Sequence, residues 1–176
     1  MIAADTDDPD VLAGRQRLGI ETCRLDGRVI DQRRVVGNDG EIVQRMHLYD
    51  FGIDFEYVDA TQPEAIAAAW RDETAMVYVE TPTNPLMALT DIAAVAAMTQ
   101  DRGARLVVDN TFMSPFLQRP LEFGADLVMH STTKYINGHS DVVGGTVVAA
   151  TPELADTLCW WANCLGITGA PFDSYL

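Results

Sequence analysis

Positive charge is scarce in this chain. Twelve Lys and Arg residues stand against 26 Asp and Glu, a formal net charge of −14 over 176 residues. So acidic a chain is a poor partner for nucleic acid or an anionic membrane surface. Cysteine is scarce too: Cys23, Cys159 and Cys164 form an odd set without metal-ligand spacing. That argues against a disulfide framework and against a metal site. With no signal sequence in view, it implies reduced thiols in a cytoplasm. Cys159 and Cys164 fall in an apolar, helix-like stretch and read as packing residues. No apolar run approaches the length that crosses a bilayer. Repeats and low-complexity segments are lacking as well. What is present is a chain 48% hydrophobic, long enough for one domain with a real core.

The pattern predicts alternating strands and helices. Phe55 to Val58 alternates like a short strand. Pro63 opens a helix reaching Arg71, because proline is tolerated in the first helical turn. Ala75 to Val79 is a short apolar strand. Thr90 or Asp91 caps a helix from Ile92 to Gln100, and Gly103 ends it. Leu106 to Val108, Leu127 to Met129 and Thr146 to Ala150 are further strands. Pro152 opens a last helix through about Leu165, whose Trp160 and Trp161 need packing partners, a partner chain among them. Such alternation implies a parallel, doubly wound sheet. The last strand follows a connection without a helix, which allows it to run antiparallel. The first 47 residues say least. Asp5, Asp7, Asp8 and Asp10 make an acidic start, and Arg24, Arg28, Arg33 and Arg34 read as solvated surface.

Three stretches carry chemistry. The strand ending at Met129 runs into His130-Ser131-Thr132-Thr133-Lys134, then into a loop of Tyr, Ile, Asn, Gly, His, Ser and Asp. A lysine just past a buried strand is either salt-bridged or used as an amine. The hydroxyls of Ser131 and Thr133 suit an anionic phosphate. An amine beside a phosphate site is what pyridoxal phosphate requires. The plainer reading is a polar loop with a stray lysine. A second stretch, Arg105 to Phe112, is an apolar strand ending in Asp109. Pyridoxal chemistry needs a carboxylate on the pyridine nitrogen. Open parallel sheets gather ligands at the carboxyl ends of their strands, so Asp109 and Lys134 can share one crevice. The alternative for Asp109 is a turn cap. A third stretch, Glu80-Thr81-Pro82-Thr83-Asn84-Pro85, is a rigid turn after a strand.

In this order the three stretches resemble the Cys/Met-metabolism family of pyridoxal-phosphate enzymes. The likeness runs from about Phe55 to Leu176. It is densest in Asp-Asn-Thr-Phe-Met-Ser-Pro from Asp109 and in Ser-Thr-Thr-Lys-Tyr-Ile-Asn-Gly-His-Ser-Asp-Val-Val-Gly-Gly from Ser131. The tail from Trp160 to Gly169 looks like the cystathionine γ-synthase branch. The resemblance implies an α/β fold: the three-layer α/β/α large domain of fold type I, with a mostly parallel sheet and cut short. It divides the chain into a poorly matched segment, 1–47, and a cofactor-binding core, 48–176, without the family's C-terminal small domain.

The resemblance also implies roles. Lys134 holds the cofactor through its amine and moves protons. Asp109 pairs with the pyridine nitrogen, Ser131 and Thr133 bind the phosphate, and Asn84 sits beside the ring's phenolic oxygen. The cofactor is pyridoxal 5'-phosphate, and no metal is involved. The implied reaction is γ-replacement on an activated homoserine ester by cysteine. Lyase and sulfhydrylase activities use the same residues, and a non-catalytic remnant is the reading from another class. The partners are small amino-acid substrates and, at full length, further copies of the chain; the compartment is the cytoplasm. Family members are longer, with an N-terminal arm reaching a neighbouring subunit and a substrate-carboxylate arginine in the small domain, so this chain alone is expected to be inactive. Between Val35 and Met46 the family's Tyr-Gly-Gly-Thr-type loop is replaced by Val-Val-Gly-Asn-Asp-Gly-Glu-Ile-Val-Gln-Arg-Met. The ring-stacking aromatic therefore has no counterpart, although Tyr49 is nearby. His130 and His139 are read as loop-holding residues, as are Asn137, Ser140 and Asp141.

Overall fold

The computed structural model describes residues 33–37 and 53–176. Its strands are β1 Arg33–Gly37, β2 Ile53–Tyr57, β3 Thr74–Glu80, β4 Arg105–Asp109, β5 Leu127–Ser131 and β6 Gly145–Ala149. They form one sheet in the order β2-β1-β3-β4-β5-β6. The first five pair in parallel, and β6 pairs antiparallel with β5. The helices are α1 Pro63–Ala68, α2 Ile92–Asp101, α3 Ser114–Leu117, α4 Pro152–Leu165 and α5 Pro171–Tyr175, with a 3-10 turn at Pro120–Phe123. The fold class is α/β, with the antiparallel last strand that its helix-free connection allows.

The core lies on one face of the sheet. Val36, Val77, Val79, Leu106, Val108 and Val128 point to that face and meet Ile66 of α1 and Ile92, Val95 and Ala96 of α2. Burying each such aliphatic side chain contributes about 1.5–3 kcal/mol. On the opposite face Met76, Tyr78, Glu80, Asp109, Leu127, Met129 and Ser131 are only part-buried. Both faces follow from the two-residue period of a strand.

Local chemistry sets the helix ends. The Asp91 carboxylate accepts from the Ala94 N–H at 3.0 Å and is the N-cap of α2. Thr90 is buried instead, its N–H donating to the Thr81 hydroxyl at 2.9 Å. Gly103, with φ 71°, supplies the left-handed turn after α2. Helix α1 ends at Ala68, short of the expected Arg71. There the chain already turns into β3, with the Arg71 N–H donating to the Thr74 hydroxyl at 3.1 Å.

Two expectations need correction. Cys159 and Cys164 are exposed and do not pack. The contacting stripe of α4 runs through Leu154, Thr157, Leu158 and Trp161 at helical spacing, and the cysteines fall outside it. Strand β1 was not foreseen, and it lies before residue 47, between β2 and β3. Its last residue, Gly37, pairs with Tyr78 so closely that a Cβ would run into the Tyr78 carbonyl. Trp160 and Trp161 pack on each other edge to face, with ring centroids 4.9 Å apart. Cys23, Arg24, Arg28, Tyr49 and the acidic start lie outside the described residues, as do the side chains of Arg33 and Arg34.

Candidate active site

Three parallel strands end side by side. Glu80 of β3 pairs with Asp109 of β4, and Asp109 pairs with Met129 of β5. Ser131 follows two residues beyond Met129, so its side chain shares the Asp109 face. After Ser131 the chain turns at once: the Lys134 N–H donates to the Ser131 carbonyl at 3.2 Å, and the Lys134 carbonyl accepts from the Gly138 N–H at 2.9 Å. Lys134 is therefore carried just past the carboxyl edge of β5. Its side chain is exposed and forms no ion pair among the described residues. The salt-bridged reading of this lysine has no support among the described residues. A stronger sign was overlooked in the sequence: Lys134 is the only lysine in the chain, and every other basic side chain apart from histidine is arginine.

The Asp109 carboxylate is divided between two tasks. Its Oδ1 accepts from the Thr111 N–H at 2.9 Å, so the turn-cap reading holds for one oxygen. Its Oδ2 faces the Tyr78 hydroxyl at 3.4 Å. The backbone here is held by Asn110, which is fully buried. The Asn110 amide donates to the carbonyls of Ser114 at 3.2 Å and Gln118 at 2.8 Å. Gln118 Nε2 in turn donates to Asn110 Oδ1 at 2.9 Å and to the Thr81 carbonyl at 3.0 Å. The network ties the loop after β4 to the loop after β3. Tyr78, Asn110, Thr111 and Gln118 were not singled out in the sequence. Asn110 and Thr111 adjoin Asp109 in the motif, whereas nothing in sequence marks Gln118.

The lysine loop is clasped at both ends. The Thr133 hydroxyl accepts from the Gly144 N–H at 2.9 Å and donates to the Gly144 carbonyl at 3.2 Å. A hydroxyl has one proton, so a phosphate contact from Thr133 competes with Gly144 for it. The Asn137 amide donates to Thr132 Oγ1 and to the Val142 carbonyl, each at 3.4 Å. His139 Nδ1 lies 2.9 Å from the Asn137 carbonyl, a loop contact as expected. Asn84 sits exposed on the loop after β3, its N–H donating to the Glu80 carboxylate at 3.3 Å. The sheet thus brings Asp109, Ser131 and Lys134 to one edge, with the Asn84 loop at the same end.

His130 stands apart. It is 3% exposed, and its position between Met129 and Ser131 turns it to the helix-covered face. Burial pushes its pKa below the usual 6.5, while the nearby Asp109 charge and the Asn110 backbone pull the other way. Its Nδ1 has no partner among the described residues. A buried, neutral imidazole on the far face is poorly placed for acid–base work at the edge.

An amine without an ion partner among the described residues, a hydroxyl at a strand end and a carboxylate with one oxygen uncommitted to the backbone are groups that fit pyridoxal phosphate. The model of the family described as "Cys/Met metabolism PLP-dependent enzyme" matches residues 21–176. The chain belongs to that family. Its members depend on pyridoxal phosphate, and the match begins upstream of Phe55, taking in β1. The chain is 52% identical over 120 residues to the cystathionine gamma-synthase of Escherichia coli (strain K12), covering 68% of this chain and 31% of that protein. It is 50% identical over 127 residues to the cystathionine gamma-lyase of Dictyostelium discoideum, covering 72% and 33%. Among solved structures, cystathionine gamma synthase from Xanthomonas oryzae pv. oryzae in complex with aminoacrylate and cysteine superposes with a TM-score of 0.77. It shares 48% identity, and the match covers 82% of this chain and 38% of that one. The sheet is thus that of a fold type I enzyme, and the chain spans about a third of the length of the curated relatives it matches.

Proposed function

We propose that this chain carries the cofactor-binding core for γ-replacement on an activated homoserine ester by cysteine, the transsulfuration step toward methionine. The observation that carries the reading is the edge itself: the chain's only lysine, without an ion partner among the described residues, stands beside the strand ends that present Asp109 and Ser131. Similarity to proteins named cystathionine gamma-synthase supports this reaction. The Dictyostelium relative supports γ-elimination as the second reading.

Bound pyridoxal phosphate supplies an aldehyde for an amine to attack and a ring that accepts electron density from the substrate's Cα. Lys134 would hold the cofactor through Nζ, and the same amine would take and return protons at the substrate's Cα. Asp109 Oδ2 would hold a proton on the pyridine nitrogen through a charge-assisted hydrogen bond. Ser131 would donate to the phosphate, and Thr133 would do so by releasing the Gly144 carbonyl. Asn84 would sit beside the ring's phenolic oxygen and the substrate. The substrates are amino acids, the working form is an oligomer of identical chains, and the compartment is the cytoplasm.

The test has two stages. Dilute pyridoxal phosphate is added to the purified protein, and a visible absorption band with a borohydride-stable adduct is expected. Absence of both would sink the cofactor assignment. The enzyme containing this core is then given cysteine with O-succinylhomoserine, or cystathionine alone. Cystathionine formation from the first supports γ-replacement. Release of 2-oxobutyrate from the second, without the first, would move the assignment to the lyase reading.

A further inference from the structure

We propose that Thr111 is a positioning residue that joins the Asp109 carboxylate and the Ser131 backbone into one unit and thereby sets how tightly the edge grips the cofactor's phosphate. The proposal rests on the reading of this edge as a pyridoxal phosphate site.

Two hydrogen bonds of one residue carry it. The Thr111 N–H donates to Asp109 Oδ1 at 2.9 Å, and Thr111 Oγ1 accepts from the Ser131 N–H at 2.8 Å. Both lie within the favourable range for N–H···O bonds. The second bond stands where the sheet ladder stops. The β4 chain still follows β5 at Asn110, whose N–H donates to the Met129 carbonyl at 2.9 Å. In a continuing parallel ladder the Asn110 carbonyl would next accept from Ser131. Here that carbonyl accepts instead from the Ser114 N–H at 3.0 Å, as the chain leaves the sheet. The Thr111 hydroxyl takes its place.

One residue therefore links the groups assigned to the two ends of the ligand. On its backbone side it fixes the carboxylate that faces the pyridine nitrogen. On its hydroxyl side it fixes the first residue of the Ser131 to Lys134 turn. Without the Oγ1 acceptor, the part-buried Ser131 N–H loses its partner, and nothing else among the described residues replaces it. The Ser131 hydroxyl then loses its fixed direction, and a misdirected donor binds its anion less well.

The experiment compares Thr111→Val, nearly isosteric but without an acceptor, Thr111→Ala, which adds no bulk, and Thr111→Ser, which restores the hydroxyl. Each is titrated with pyridoxal phosphate and with pyridoxal, which lacks the phosphate. Amide exchange at Ser131 and the melting temperature are followed in parallel. The Val and Ala variants should weaken pyridoxal phosphate on the order of fivefold to tenfold, the worth of one hydrogen bond. They should change pyridoxal binding by less than about twofold, with faster exchange at Ser131. Thr111→Ser should restore all three. Equal weakening for both ligands, or none for either, overturns the role assigned to Thr111 and leaves the cofactor site standing. A parent protein that binds neither ligand overturns both.

Discussion

Lys134→Ala removes the chain's only ε-amine at little structural cost. The Lys134 side chain is exposed and has no ion partner among the described residues. Its two structural bonds, to the Ser131 carbonyl at 3.2 Å and from the Gly138 N–H at 2.9 Å, belong to the backbone and survive in alanine. Surface substitutions of this kind stay within about ±0.5 kcal/mol. The denaturation midpoint should therefore hardly move. Covalent capture of pyridoxal phosphate at position 134 should fall from one adduct per chain to none. The assay is incubation at dilute cofactor, reduction with borohydride, intact mass and a peptide map of the adduct. Lys134→Arg separates charge from chemistry: the guanidinium keeps the positive charge, stays protonated and forms no adduct. The one other amine is at the N-terminus, and its labelling should be weak and insensitive to added phosphate. An undiminished adduct in Lys134→Ala, or a parent adduct mapping to the N-terminus, would refute the assignment of Lys134.

Asp109→Asn keeps an oxygen for the Thr111 N–H and loses only the charge, so cofactor capture should persist. Exchange of the substrate's Cα proton in the enzyme carrying this core should slow at least about tenfold, a loss of roughly 1.4 kcal/mol, as followed by NMR in deuterated buffer. Near-normal exchange would remove Asp109 from the pyridine nitrogen. His130 has its pKa lowered by burial, so the unfolded chain binds its proton more readily. The stability this neutral histidine contributes is full above about pH 6.5 and is lost as pH falls through the lower folded value. Melting curves from pH 7.5 to 5.5 should show His130→Gln gaining on the parent as pH drops, and parallel curves would contradict this. Gly37→Ala drives a Cβ against the Tyr78 carbonyl within the β1–β3 ladder. It should cost about 1–3 kcal/mol by chemical denaturation, and a neutral result would mean the two strands lie farther apart.

What was legible in sequence was the part written in local chemistry. Leu106 to Val108 and Leu127 to Met129 are apolar runs with clear ends, and each strand extends only to the polar residue that closes it, Asp109 and Ser131. Asp91 and Gly103 mark α2 by capping rules that need no tertiary context. Strand β1 was illegible because Arg-Arg-Val-Val-Gly offers no alternation; it is a strand because β2 and β3 flank it on both sides. The exposure of Cys159 and Cys164 was misread because composition marks a stretch as apolar but does not say which stripe of a helix meets the sheet. At the site, residue types gave Lys134, Asp109 and Ser131. The bonds that orient them come from Thr111, Asn110 and Gln118, whose partners are set by where the chain leaves the sheet.

The net charge of −14 and the phosphate binding proposed for this edge are compatible for a physical reason. Charges farther apart than a Debye length, about 10 Å at 0.1 M salt, are largely screened, so the edge answers to its own neighbours. Those are Glu80 and Asp109 on the strand ends and Lys134 beyond them. Asp109 already holds a backbone N–H and faces the Tyr78 hydroxyl, and the Glu80 carboxylate accepts from the Asn84 N–H. Each carboxylate is thus engaged with a donor. On the proposed reading, recognition of an anion here depends on directed neutral donors, the hydroxyls of Ser131 and Thr133, more than on net positive charge. A directed donor works only if its backbone is fixed. That requirement accounts for the density of side-chain-to-backbone bonds at this end of the sheet, with Thr111 on Ser131 and Thr133 on Gly144.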